Sequence, residues 1–188
     1  FLQIEPNSKK LKPYVQYRIG KMFCYGLGTE QDYEKAFEWF ERSAKQKNKF
    51  AQFSLANLYY YGSGIEKDLS QAFLWYQKSS SQGQPYAAYS IAQMYRYGEY
   101  VTKDNDTAQR YYQQALSAFL KIESDDMAND DLFYKLGQMF KLGLGTDSDV
   151  TKAIEYFRRS AEMNNKNGLF EYLSLIHISE PTRPRLIS

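Results

Sequence analysis

Few residues in this chain have the chemistry to act on a substrate. Histidine occurs once, as His177, and cysteine once, as Cys24. An imidazole can carry a proton or bind a metal, and a thiolate can act as a nucleophile. Both need partners: an adjacent base for the nucleophile, or further ligands for the metal. Cys24 has neither a histidine nor a carboxylate beside it, so it reads as a spectator thiol. A single cysteine also excludes an intrachain disulfide, and with it a secreted disulfide scaffold. The run Glu123–Asp131 (ESDDMANDD) is acidic. It lacks the glycine and the alternating carboxylates of a calcium loop. It reads as a solvated linker that ends on a helix-capping aspartate. With no Ser/His/Asp set, no metal-ligand cluster and no cofactor fingerprint, the chain is expected to be non-catalytic, without cofactor or metal.

The Gly-x-Gly steps Gly26/Gly28, Gly62/Gly64 and Gly143/Gly145 are the next candidates. Such loops cradle phosphate when they follow a strand and open a helix. Here each follows a helical apolar pattern, so a helix–helix turn is expected. The chemistry that remains is recognition by aromatic rings and cations. Aromatic residues make up 17% of the chain, 18 of them tyrosine, and the formal net charge is only +2. That balance gives no reason to expect direct nucleic-acid contact or a membrane surface. No apolar run approaches the about 18 residues needed to span a bilayer. The expected partner is a protein or peptide, and the expected location is the cytoplasm.

The elements that would present these rings repeat along the chain. Gly26, Asp32, Ala36 and Trp39 recur 36 residues later as Gly62, Asp68, Ala72 and Trp75. The same step leads to Gly98, Asp104, Ala108 and Tyr111, and a step of 45 leads to Gly143, Asp149, Ala153 and Tyr156. Each unit reads as two helices. The first carries an apolar i, i+3, i+4 stripe: Ile19, Met22 and Phe23, and in the next unit Leu55, Leu58 and Tyr59. A small residue follows the first stripe position each time, as Gly20, Ala56, Ala92 and Gly137, so a neighbouring helix can come close. Gly26, Gly62, Gly98 and Gly143 are placed to end the first helix, and the four aspartates to start the second. The buried face of the first unit's second helix is expected to be Tyr33, Ala36, Phe37, Phe40 and Ala44. Tyr112, Ala115, Leu116, Phe119 and Leu120 extend that stripe in the third unit, so the nine extra residues should lengthen its second helix by about two turns. Such units bury their faces only by stacking. The predicted fold is all-α, a right-handed α/α solenoid of helix-turn-helix repeats.

Within that frame Trp39 and Trp75 are expected to pack across their own helical pairs. Tyr25, Tyr60, Tyr61, Arg96 and Tyr97 fall at the ends of first helices, which line the concave surface in related solenoids. Tyrosine and arginine are enriched at interface hot spots, so these five are the candidate partner-binding residues.

The blocks Lys35–Phe40, Gln71–Tyr76 and Lys152–Phe157, with the Gly-x-Gly turns and the following aspartates, resemble the Sel1-like repeat family, relatives of the tetratricopeptide repeats. The likeness covers residues 13–172, with Tyr100 standing where the third unit should have its second turn glycine. That turn's geometry is the one the pattern does not specify. The stretches YRIGKMFCYGLGTEQDYEKAFEWFERSA, AQFSLANLYYYGSG and KLGQMFKLGLGTDSDVTKAIEYFRRSAEMNNKNGL are similar to the repeat region of MobL-type mobilisation relaxases. That resemblance implies an accessory scaffold in transfer of a bacterial mobile element, its nicking chemistry in another domain. Two other roles stay open: a free-standing signalling or stress adaptor, and a β-lactam hydrolase-like relative. The cysteine-rich proteins that suggest the last role carry a cysteine pair in each repeat, where this chain has only Cys24.

The chain opens on Phe1 and is read as a piece of a longer one, with residues 1–12 ending a preceding segment. Gly168, Phe170 and Tyr172 fall in phase with Ala51, Phe53 and Leu55, so a fifth unit begins. Leu173 then replaces the small residue and the pattern stops. Leu173–Arg183 (LSLIHISEPTR) resembles, at every residue, the in-frame translation of a transposase-derived sequencing adapter. Pro184–Ser188 fit its continuation in the same frame. Residues 173–188 are therefore read as a non-native tail that the repeat core should not support, and His177 goes with them.

Overall fold

A computed structural model describes residues 12–124 and 128–179. Among them are nine helices and no strand. Helices α1 (Pro13–Tyr25), α2 (Tyr33–Lys45), α3 (Lys49–Tyr61), α4 (Leu69–Ser80) and α5 (Pro85–Tyr97) lie in a first compact unit, Phe1–Ala108. Helix α6 (Asn105–Ser124) begins there and continues into a second unit, Gln109–Ser188, with α7 (Asp130–Leu142), α8 (Val150–Glu162) and α9 (Lys166–Ser179). In the first unit α1 packs on α2, α2 on α3, α3 on α4 and α4 on α5; in the second, α7 packs on α8 and α8 on α9. This is the helical repeat solenoid expected.

The turns inside each repeat are closed by local hydrogen bonds. Gly26, Gly62, Gly98 and Gly143 all adopt the left-handed conformation, with φ of 65°, 70°, 73° and 63°. The next residue donates back to the carbonyl five positions earlier, as in Leu27 N to Met22 O at 2.9 Å and Leu144 N to Met139 O at 2.9 Å. This is a Schellman cap, which satisfies carbonyls a helix end leaves open. The aspartates then cap the second helices, Asp32 accepting from Lys35 N at 2.9 Å and Asp149 from Lys152 N at 3.0 Å. Their own N–H groups return to the first helix, Asp32 to Phe23 O and Asp149 to Phe140 O, both at 2.9 Å.

Small residues permit the close packing expected of them. A Cβ added at Gly20 would lie 2.6 Å from the Phe40 ring, and one at Gly137 would lie 2.6 Å from Phe157. Ala36, Phe40, Ala44, Ala51, Leu55 and Leu58 form one core cluster across α2 and α3, with Phe37 and Trp75 against it. Buried serines tie the helix pairs: Ser43 donates to Pro13 O at 2.5 Å, Ser79 to Lys49 O and Ser160 to Asp130 O, both at 2.7 Å. The third unit has Ala115 at that position, within the longer α6. With 20 residues against 12 or 13 in α2, α4 and α8, α6 is longer by the two turns expected.

Several expectations are corrected. Tyr33 is 36% exposed, because it stands at the first turn of α2, where the stripe has left the core. Met22 is also exposed, on the outermost helix of the described stack. The aspartates of the acidic run do not cap α7. Asn129 does, accepting from Leu132 N at 2.8 Å. Nor is Glu123 solvated: it accepts from the Tyr156 hydroxyl at 2.9 Å and pairs with Arg159, which lies 4.0 Å over the Phe133 ring. Residues 125–127 of that run lie outside the described residues.

Tyr100 takes φ of 65°, the conformation Gly64 and Gly145 take at 71° and 72°. The third turn therefore keeps the repeat geometry. It sets a ring against Phe73 of α4, centroids 5.7 Å apart, where Gly64 sets bare backbone against α2. Helix α9 also continues past Tyr172 to Ser179, with Leu175 and Ile176 half-buried, so the core does support the first part of the segment expected to be unsupported. Leu173 itself is exposed, as is His177, and residues 180–188 lie outside the described residues.

Candidate protein-interaction face

The Schellman caps place the last residue of each first helix at the surface. In the first unit that residue is a tyrosine in all three repeats. Tyr25, Tyr61 and Tyr97 are 62%, 70% and 63% exposed. Two of them have a cation at hand. Lys21 Nζ lies 5.5 Å from the Tyr25 ring, and the Arg96 guanidinium lies 5.6 Å from Tyr97. Tyr61 meets Tyr60 edge to face at 4.9 Å, and Lys67 lies 5.7 Å over Tyr60. Tyr60 is half-buried, and its hydroxyl donates to Glu99 at 2.6 Å. Burial, reinforced by that carboxylate, pushes its pKa up to about 12. Tyr60 is thus a fixed support for Tyr61, whereas Tyr25, Tyr61 and Tyr97 turn most of their surface to solvent. In the fourth repeat the same position is Leu142, also exposed.

A second aromatic row lies three turns back on the same helices and was missed from the sequence. Tyr14 and Phe50 are exposed and Tyr86 is half-buried. Tyr17 stacks on Phe50 at 5.8 Å and Phe53 meets Tyr86 at 5.9 Å, so rings pass from one repeat to the next. The 36-residue recurrence of Tyr14, Phe50 and Tyr86 was the available signal, hidden by the number of aromatics that do serve the core.

The other candidates are structural. Trp39 is buried under Arg42 at 5.3 Å, and Trp75 lies under Lys78 at 3.9 Å. Cys24 is a half-buried free thiol whose pKa burial raises, which disfavours the thiolate. Among the described residues no group of three or more His, Cys, Asp or Glu is placed to hold a metal. No described helix is long and apolar enough to cross a membrane.

Comparison with known proteins agrees with this architecture. The chain is similar over 86% of its length to a Sel1 repeat protein from Oxalobacter formigenes, with 25% identity and a TM-score of 0.56. It is similar over 87% to a protective antigen of uropathogenic Escherichia coli that displays an SLR fold, with 27% identity and a TM-score of 0.56. It spans 63% of the first of these proteins and 33% of the second. The curated proteins gave no match. The Sel1 repeat model matches residues 13–48, 49–84, 85–118 and 134–165, the same four units that the glycine and aspartate recurrences mark out. With most of its length accounted for in this way, the chain belongs to the Sel1 repeat family, whose members are typically protein-interaction scaffolds.

Proposed function

We propose that this array is a non-catalytic scaffold that docks a protein or peptide on its first-helix face, with Tyr25, Tyr60, Tyr61, Arg96 and Tyr97 as the contact set. The observation that carries this reading is the exposure of a tyrosine at three consecutive equivalent positions. Large rings facing solvent in register are not needed for packing. They supply wide contact area at low cost in side-chain entropy. The Tyr61→Ala/Tyr97→Ala variant, folded by circular dichroism, should lose partner capture in a pull-down. Unchanged capture by the folded variant overturns the reading.

The likeness to MobL-type relaxases supports a narrower setting: an accessory repeat region of a longer mobile-element protein in the cytoplasm. A nicking domain encoded upstream in the same gene would establish it, and a complete gene without one would refute it. The adapter likeness supports reading Leu173–Ser188 as foreign to the array. Resequencing the source DNA across the Tyr172 codon tests this, and a tail that persists without adapter sequence refutes it.

A further inference from the structure

The first helices of the N-terminal unit carry a charge pattern that stacking does not require. Helices α1, α3 and α5 contain no aspartate or glutamate, yet they carry Arg18, Lys21, Lys49 and Arg96. The second helix α2, in contrast, mixes both signs and pairs them, as in Arg42–Glu38 and Lys45–Glu41. Glu99, which lies against Tyr60, is engaged by the Tyr60 hydroxyl at 2.6 Å.

Between the two aromatic rows runs a polar lane. It consists of Arg18 and Lys21 on α1, Ser54 and Asn57 on α3, and Ser90 and Gln93 on α5. Arginine and lysine can only donate hydrogen bonds. The Asn57 Oδ1 already accepts from the Tyr76 hydroxyl at 2.6 Å, so its amide nitrogen is the group left to donate. The lane carries two cations and no carboxylate, so its electrostatic complement is negative.

We infer that this face takes an extended acidic peptide segment, its carboxylates along the lane and its apolar side chains against the flanking rings. The inference rests on the docking reading above and specifies the partner's chemistry. Neighbouring helix axes lie about 10 Å apart, so three first helices present about 20–30 Å. That is about eight residues of extended chain at about 3.3 Å each. Single-stranded nucleic acid fits less well, because a backbone with one phosphate per nucleotide is tracked by a groove that is positive along its length, whereas both cations of this lane, Arg18 and Lys21, lie on α1.

The test uses the full chain and fluorescence anisotropy with three labelled probes. These are a peptide of repeating Glu-Asp-Tyr about nine residues long, its Gln-Asn-Tyr isostere, and an oligothymidine of similar length. The acidic peptide should bind about tenfold or more tighter than the isostere, and should weaken as salt is raised. The Arg18→Glu/Lys21→Glu/Arg96→Glu variant should lose that preference, while Lys121→Glu, an exposed charge outside the face, should keep it. Equal affinity for acidic peptide and isostere, retention of binding by the triple variant, or tighter binding of oligothymidine overturns the inference. If both peptides bind equally and both are lost on Tyr61→Ala/Tyr97→Ala, the acidic preference falls and the docking face stands. If neither peptide binds, the inference falls and the pull-down alone judges the face.

Discussion

The second glycine of the Gly-x-Gly turns tests whether these repeats are held by local conformation or by contact between repeats. Gly28 and Gly64 have nearly the same backbone, with φ of 73° and 71°. Their surroundings differ. A Cβ at Gly28 would meet nothing within 4 Å, whereas one at Gly64 would lie 2.6 Å from Tyr33 Cβ, 2.7 Å from Tyr33 C and 2.8 Å from Glu34 N. Alanine at Gly28 therefore costs the left-handed strain alone, about 1 kcal/mol. Alanine at Gly64 costs the same strain plus a contact about 1 Å too short against backbone that no rotamer change can relieve. Overpacking of that kind adds about 1–3 kcal/mol. For a chain of this size about 1 kcal/mol shifts Tm by roughly 3 °C, so Gly28→Ala should lower it by roughly 3 °C and Gly64→Ala by roughly 9 °C. Thermal melts followed by far-UV circular dichroism read both. Equal shifts would refute the argument, because φ alone would then explain the glycine.

The same steric logic predicts that Gly137→Ala, whose Cβ would press on the buried Phe157 ring, destabilises by about 1–3 kcal/mol net of any helix-propensity gain. Adding Phe157→Leu should recover part of that loss in a double-mutant cycle, and strict additivity counts against it. Ser79→Ala removes a buried donor to the Lys49 carbonyl and should cost about 1 kcal/mol in urea unfolding. The Asp32 carboxyl is held below its usual value first by the Lys35 side chain, and Asp149 first by the Lys152 backbone N–H. Because these folded values are depressed, their contribution is present above the unfolded value of about 3.9 and is lost as pH falls through the folded values. Asp32→Asn/Asp149→Asn keeps both caps but removes both titrations, so its Tm should fall less steeply below about pH 4 than that of the parent chain. Matching slopes would discount these two groups.

Much of the architecture was legible because its hydrogen bonds close within a few residues of the side chains that make them. Gly26 and Asp32 cap the two ends of one turn, and the same chemistry recurs at Gly62 and Asp68, so the recurrence alone located the helices. The length of α6 was legible for a similar reason, since Tyr112, Leu116 and Phe119 continue one helical stripe. The exposure of the proposed contact set was legible only in part. Tyr25, Tyr61 and Tyr97 stood out by position, but the sequence does not distinguish an exposed tyrosine from the half-buried Tyr60 beside it.

Contacts between segments distant in the chain decided the rest. Tyr33 stands at the first turn of α2, where the stripe has left the core, and is 36% exposed. Tyr100 takes a left-handed turn without glycine, and its ring meets Phe73 of another helix. Glu123 is drawn out of an acidic run by Arg159 and Tyr156, 36 and 33 residues away. Sequence by itself determined the repeat, its caps and its turns, since propensity and local hydrogen bonding act over a few residues. Tertiary structure decided which of many similar aromatic and charged side chains face solvent, since that depends on which surfaces meet when the repeats stack.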